Sequence, residues 1–81
     1  MRLDKYLKVS RLIKRRTVAN EACDAGRVSV NGKVAKAGSE IKPGDEISIL
    51  FGDKTVKVKI LSVADTVKKE EARDMYEYLP V

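Results

Sequence analysis

The 81-residue chain has no histidine and one cysteine, Cys23. Without histidine, metal sites and general acid–base schemes lose their commonest member. No catalytic residue, metal or cofactor is therefore expected, and the chain does not read as an enzyme. A lone cysteine cannot close an internal disulfide, which suits a reducing cytosol. No apolar run approaches the roughly 20 residues that cross a bilayer, so no membrane is expected as a partner. The opening "MRLDKYLK" is charged from its second residue and does not suit a signal peptide. Repeats, low-complexity tracts and interdomain linkers are also missing. The expectation is a single domain over residues 1–81. A chain this short buries only about 60% of its unfolded surface, leaving no room for a deep cleft between lobes.

What is present is positive charge, unevenly spread. Seventeen Lys and Arg stand against twelve Asp and Glu, a net charge of +5. Residues 1–36 carry ten cations and three acids, whereas residues 37–81 carry seven and nine. Such polarity favours a docking face for an anionic partner: nucleic acid, an anionic membrane surface or an acidic protein. The densest stretch is "RLIKRRTVANEA", Arg11 to Ala22, where Arg11, Lys14, Arg15 and Arg16 crowd together with no acid between them. They precede a helix whose dipole disfavours each cation there by about 0.3–1 kcal/mol. Arg2, Lys5 and Lys8 are close by in sequence. A solvated face is one reading of such a run. Cations held where they are repelled point instead to a ligand, and helix N-terminal amides with clustered Arg and Lys make a phosphate site. Arg2, Arg11, Lys14, Arg15 and Arg16 are therefore expected on one solvent-facing surface.

Hydrophobic spacing supplies the elements. Leu3, Tyr6 and Leu7 fall at i, i+3 and i+4 in residues 3–8, predicting a short helix with Lys5 and Lys8 on its wet side. A second helix is predicted from about Arg15 to Ala25. Its apolar stripe would be Val18, Ala22 and Ala25 with Ala19 and Cys23, and Gly26 would end it. The period then changes to two. Val28 and Val30 precede Asn31-Gly32, a strong hairpin signal, and Pro43-Gly44 suits a type II turn. Ile47 and Ile49 mark one strand. Val56, Val58 and Ile60 mark another, with Lys57 and Lys59 outward and Gly52-Asp53 turning between the two. In "KKEEARDMYEYL", Ala72, Met75, Tyr76 and Leu79 have helical spacing, predicting a helical tail over about 67–81. The fold class is α+β: two helices packed on a small antiparallel sheet, with a short C-terminal helix.

Individual residues carry paired readings. Asp4 is either a dipole-favoured acid or a carboxylate orienting a neighbouring arginine toward phosphate. Thr17 and Asn20 could contact ribose or phosphate, with capping and plain exposure as the simpler readings. Tyr6 has core spacing, although it could stack on bases, as could Tyr76 and Tyr78. Cys23 lies in the apolar stripe and reads as a small core residue. Lys57 and Lys59 suit edge protection.

Residues 2–47 carry a resemblance. Arg2-Leu3-Asp4, Ser10-Arg11, Arg16 at the second helix, Gly26-Arg27-Val28, Val30-Asn31-Gly32-Lys33 and Lys42-Pro43-Gly44-Asp45 together resemble the RNA-binding domain named after ribosomal protein S4. Membership implies an L-shaped two-helix motif as the RNA surface. Carried over residue by residue, it implies RNA contacts from Arg2, Lys5, Lys8, Ser10, Arg11, Lys14, Arg15, Arg16, Thr17, Asn20 and Lys33, with Asp4 orienting. In size, opening and ending, the chain is similar to the short stand-alone members of Gram-positive bacteria. That resemblance implies a monomeric, cytoplasmic, ribosome-associated factor. It would bind 23S rRNA and P-site peptidyl-tRNA on obstructed large (50S) subunits. An RqcH-type tailing factor would be its partner in C-terminal alanine tailing, within ribosome-associated quality control.

Other classes compete with this. A heat-shock-type large-subunit recycling factor would use the same surface. A protein adaptor would use the acidic C-terminal helix. A DNA-binding helix-turn-helix fits less well, because the "VSRLIKRR" connection is long for that turn and base-reading side chains are missing from the second helix.

Overall fold

The computed structural model describes residues 1–81. Helix α1 spans Leu3–Val9 and α2 spans Arg16–Asp24. The strands are β1 Val28–Val30, β2 Lys33–Val34, β3 Glu46–Phe51, β4 Lys54–Ile60 and β5 Tyr76–Tyr78, with a 3-10 helix at Lys69–Met75. All neighbouring strands are antiparallel, in the order β2-β1-β3-β4-β5. The α+β architecture is as expected.

Alternation makes the sheet two-faced. Ile47 pairs with Val30 and Val58, and Ile49 with Val28 and Val56, so one face is a continuous apolar layer. Behind it, Ser29, Ser48 and Lys57 line up on the wet face. The helices cover the apolar layer. Leu3, Tyr6 and Leu7 of α1 are fully buried, as are Val28, Ile47, Ile49 and Val58 of the sheet. Burying side chains of this size contributes roughly 1.5–3 kcal/mol each, enough to hold a thin core together.

The turns follow local chemistry. Asn31 and Gly32 both take positive φ (53° and 86°), the pair a type I′ hairpin turn requires. Gly26 sits at φ 75°, with its own amide on the Cys23 carbonyl and the Arg27 amide on the Ala22 carbonyl, which together close α2 in a Schellman motif.

Four expectations need correction. First, α2 buries Ala19 and Cys23, while Val18 is 47% exposed and Ala25 faces solvent. The helix meets the core along a narrower stripe than its composition suggested. Second, Thr17 does not cap α2. Arg15 holds the cap position, and no side chain bonds there. Third, the C-terminal helix is shorter than expected and of the 3-10 kind. It ends at Met75, and Tyr76–Tyr78 extends to pair with β4, Tyr76 opposite Ile60 and Tyr78 opposite Val58. A free sheet edge offering ladder hydrogen bonds outweighs a weak helical pattern, and alternating tyrosines suit a strand. Fourth, the core reaches further than the periodic segments. Ile13 anchors the α1–α2 connection, and Ala35, Ala37 and Ile41 are buried in the segment before β3.

That last segment closes the start of α1. The Leu3 and Asp4 amides donate to the carbonyls of Ser39 and Ala37, satisfying first-turn donors that a helix otherwise leaves unpaired.

Candidate nucleic-acid interface

Asp4 organises the corner where α1 begins. Its side chain is 2% exposed, yet it is ringed by donors. Arg2 donates through Nε to Oδ1 at 3.2 Å and through Nη2 to Oδ2 at 3.4 Å. Arg16 donates through Nε to Oδ2 at 3.2 Å, Asn20 through Nδ2 at 3.4 Å, and the Lys5 amide to Oδ1 at 2.8 Å. Burial alone would raise this carboxyl's pKa. The Arg16 hydrogen bond and charge, with the Lys5 and Asn20 bonds, outweigh burial and hold it below the ordinary value.

The consequence is geometric. Asp4 brings Arg2 of one helix boundary beside Arg16 of another and fixes both. The side chains remain half in solvent, 51% and 48% exposed. Asp4 occupies the Nε side of each guanidinium, and the terminal nitrogens of Arg16 have no partner in the protein. A shallow cleft of about 420 Å³ lies here, lined by Asp4, Arg16, Thr17, Asn20 and Glu21. The amides of Arg16, Thr17 and Val18 open the uncapped α2 toward solvent at the same corner. Pinned guanidinium donors beside open helix amides can hold a phosphate.

No other cationic side chain bonds to Asp4. Arg11 lies past the other end of α1, a seven-residue helix about 10 Å long. It takes the left-handed conformation, φ 62°, and its amide bonds the Lys8 carbonyl. Lys8 and Arg11 line a small cleft with Asp65, Thr66 and Val67. Lys5 is tied to Asp65 at 2.9 Å, and that ion pair holds Asp65 below its ordinary pKa. Lys14 and Arg15 are exposed in the connection between helices. Lys33 is exposed on the β1–β2 hairpin and shares no hydrogen bond or ion pair with either group. Ser10 is a correction. It is fully buried, and its hydroxyl donates to the Leu7 carbonyl at 3.3 Å, so it serves the end of α1 rather than a ligand.

Tyr6 is also committed to packing. Fully buried, it donates its hydroxyl to the Met75 carbonyl at 2.8 Å, tying α1 to the C-terminal segment. Burial raises the Cys23 thiol to about 11, with Asp4 and Asp24 adding in the same direction, so it is no nucleophile at neutral pH.

Charge counting along the chain missed Lys69 and Arg73, because the acids around them hid them in a net-negative tail. A four-residue spacing was the available signal. They line a cleft of about 510 Å³ together with Ser10, Arg11, Glu70, Ala72 and Tyr76.

Comparison with known proteins agrees with the fold. Residues 1–47 match the S4 domain family. The chain is 61% identical over 79 residues to the "RQC P-site tRNA stabilizing factor" of Bacillus subtilis (strain 168), covering 98% of this chain and 92% of that one. Among solved structures, a trimeric Vibrio cholerae heat shock protein 15 is similar with a TM-score of 0.90 and 29% identity, over 98% of this chain and 81% of that chain. The solution structure of hypothetical protein HP1423 is similar with a TM-score of 0.84 and 32% identity, over 100% and 99%.

Proposed function

This chain belongs to the S4 domain family, and from that premise we propose that it is a non-enzymatic RNA-binding factor acting in ribosome-associated quality control. In this reading it binds 23S rRNA and P-site peptidyl-tRNA on obstructed large subunits and supports C-terminal alanine tailing by an RqcH-type partner. The name of the Bacillus subtilis relative supports the quality-control setting and the P-site tRNA. The observation that carries RNA contact is the pinning of Arg2 and Arg16 by buried Asp4, which leaves guanidinium donors facing outward on a rigid corner. Rigid placement lowers the ordering cost of phosphate contact. It also favours a fixed shape of folded RNA, whose deep major groove side chains cannot read. No helix is long and apolar enough to cross a membrane.

The reading that uses an acidic C-terminal helix as a protein adaptor has a shorter element than it needs, since the helix ends at Met75 and Tyr76–Tyr78 joins the sheet. A duplex-DNA reading gains nothing from α2. Its exposed residues include Val18, Glu21 and Asp24, while Asn20 is engaged with Asp4.

The test is co-sedimentation with large subunits, with circular-dichroism melts to confirm folding. Arg2→Ala and Arg16→Ala are each expected to weaken association without unfolding the domain. Wild-type binding is expected to fall with salt with a log–log slope of about −3 to −5, corresponding to four to six phosphates. Folded RNA should compete better than duplex DNA of equal length. Undiminished co-sedimentation of both variants, or equal competition by DNA, would reject the proposal.

A further inference from the structure

A factor that steadies one RNA against another needs two RNA-contacting faces, and the Asp4 corner supplies one. The cleft at the opposite end of α1 has the chemistry of a second. Arg11 reaches it from the α1–α2 connection, and Lys69 and Arg73 from the 3-10 helix. None of these three cations takes part in an ion pair or a side-chain hydrogen bond, whereas Arg2, Lys5, Arg16 and Lys57 all face an acid. Glu70 is the only acid lining the cleft, so a positive excess remains. Arg11 also stands where glycine would fit the left-handed backbone with less strain, so the fold by itself does not require a guanidinium there.

The same surface continues onto aromatic rings. Arg73 and Tyr76 line an adjoining cleft with Glu77 and Tyr78. Tyr76 and Tyr78 lie on one face of β5, edge to face, with ring centroids 5.4 Å apart at 88°. Tyr78 is 69% exposed, and its orientation is braced by half-buried Tyr76. A held aromatic ring beside unpaired cations is the combination that binds single-stranded nucleic acid, with backbone on charge and base on ring.

We propose that the cleft between the end of α1 and the 3-10 helix is a second RNA-binding surface, taking phosphates on Arg11, Lys69 and Arg73 and one unpaired base on Tyr78. It rests on the RNA-binding reading above and assigns that reading a second face. Arg11 lies within the 47 residues that match the S4 domain, whereas Lys69, Arg73 and Tyr78 lie outside them and add to the shared motif.

The experiment measures binding of the full chain to two probes, a fluorescently labelled deacylated tRNA and purified large subunits, each at several salt concentrations. The variants are Lys69→Ala/Arg73→Ala, Arg73→Glu, Tyr78→Ala and Tyr78→Phe, with Arg16→Ala as reference; thermal melts confirm folding. The double variant is expected to bind at least one probe more weakly and to reduce the steepness of that probe's log–log salt slope by about 1.5, as two lost phosphate contacts require. Arg73→Glu should weaken it further than loss of the charge alone. Tyr78→Ala should weaken binding by roughly 10-fold, while Tyr78→Phe keeps it, because stacking needs the ring and not the hydroxyl. If the cleft variants match wild type on both probes while Arg16→Ala loses binding, the second surface is wrong and the first reading stands. If Arg16→Ala also matches wild type, RNA binding itself fails. Loss of a protein partner with RNA affinity intact would likewise overturn the proposal. Equal loss in Tyr78→Phe and Tyr78→Ala would remove the stacked base.

Discussion

Arg2 and Arg11 stand at opposite ends of one short helix and are held in opposite ways. Arg2, with Arg16, is fixed from beneath by a buried carboxylate. Arg11, with Lys69 and Arg73, makes no ion pair, although Glu70 lines the same cleft. The first arrangement gives up part of its charge for position. The second keeps its charge and leaves its side chains free. A pinned guanidinium presents a set geometry to a set phosphate, and a free one adapts, at the cost of ordering its side chain on binding. Two pinned cations thus make a rigid face, and three free ones make a compliant face.

The largest expected effect comes from removing the pin. Asp4→Ala deletes the acceptor of every side-chain bond at the corner. Each charge-assisted bond is worth about 1.5–3 kcal/mol when buried. Here the arginines are half in water and recover much of that, so a loss of about 2 kcal/mol in urea unfolding is expected. Binding at the corner should fall with it, while the cleft's contribution persists. Acid sharpens the point. Asp4 has a folded pKa below its unfolded one, so its stabilisation is full above about pH 4 and disappears as pH falls through the folded value. Wild type should therefore lose more stability than Asp4→Asn between pH 5 and pH 2.5. Equal losses would show that Asp4 does not hold the corner by charge.

A middle-sized effect is expected at the tie between the two regions. Tyr6→Phe removes the hydroxyl that bonds the Met75 carbonyl, which still accepts from the Leu61 and Ser62 amides. The carbonyl is not orphaned, so the cost should be about 1 kcal/mol. Hydrogen exchange should quicken in β5 and at Leu61 more than in α2. Uniform quickening would mean the tie is not local.

The smallest effect has the opposite sign. Arg11→Gly relieves the left-handed backbone but enlarges the unfolded ensemble, for a net gain of about 0.5 kcal/mol in the melt. Affinity for RNA should nevertheless fall. A more stable variant with undiminished RNA binding would break the contrast between the ends of α1.

The Asp4 corner was half legible. The cations and Asp4 all stand in the first 16 residues, and a carboxylate orienting an arginine was one open reading of Asp4. Which arginines it would gather was not legible, because Arg2 and Arg16 meet only once two helices pack. Lys5 and Asp65, 60 residues apart, carry no sign of their pairing in sequence. Ser10 showed the reverse. Read as a contact residue, it turned inward because the last turn of α1 had a carbonyl for its hydroxyl.

What the sequence alone determined is what local chemistry can encode. Alternating Val and Ile set the strands β3 and β4, helical spacing set α1, and Asn31-Gly32, Pro43-Gly44 and Gly26 set turns whose backbones few other residues accept. The tertiary structure decided the rest. Only packing could choose Ala19 and Cys23 as the inner stripe of α2, because both neighbouring faces are apolar enough to serve. Only the open edge of β4 could draw Tyr76–Tyr78 out of a helical pattern, since backbone donors and acceptors across a sheet outweigh a propensity of a few tenths of a kcal/mol per residue. That pairing, with the Tyr6 hydroxyl on Met75, also carried Lys69 and Arg73 beside Arg11. Charge distributed along a chain states a preference for anions, and the contacts between distant segments decide where that charge gathers.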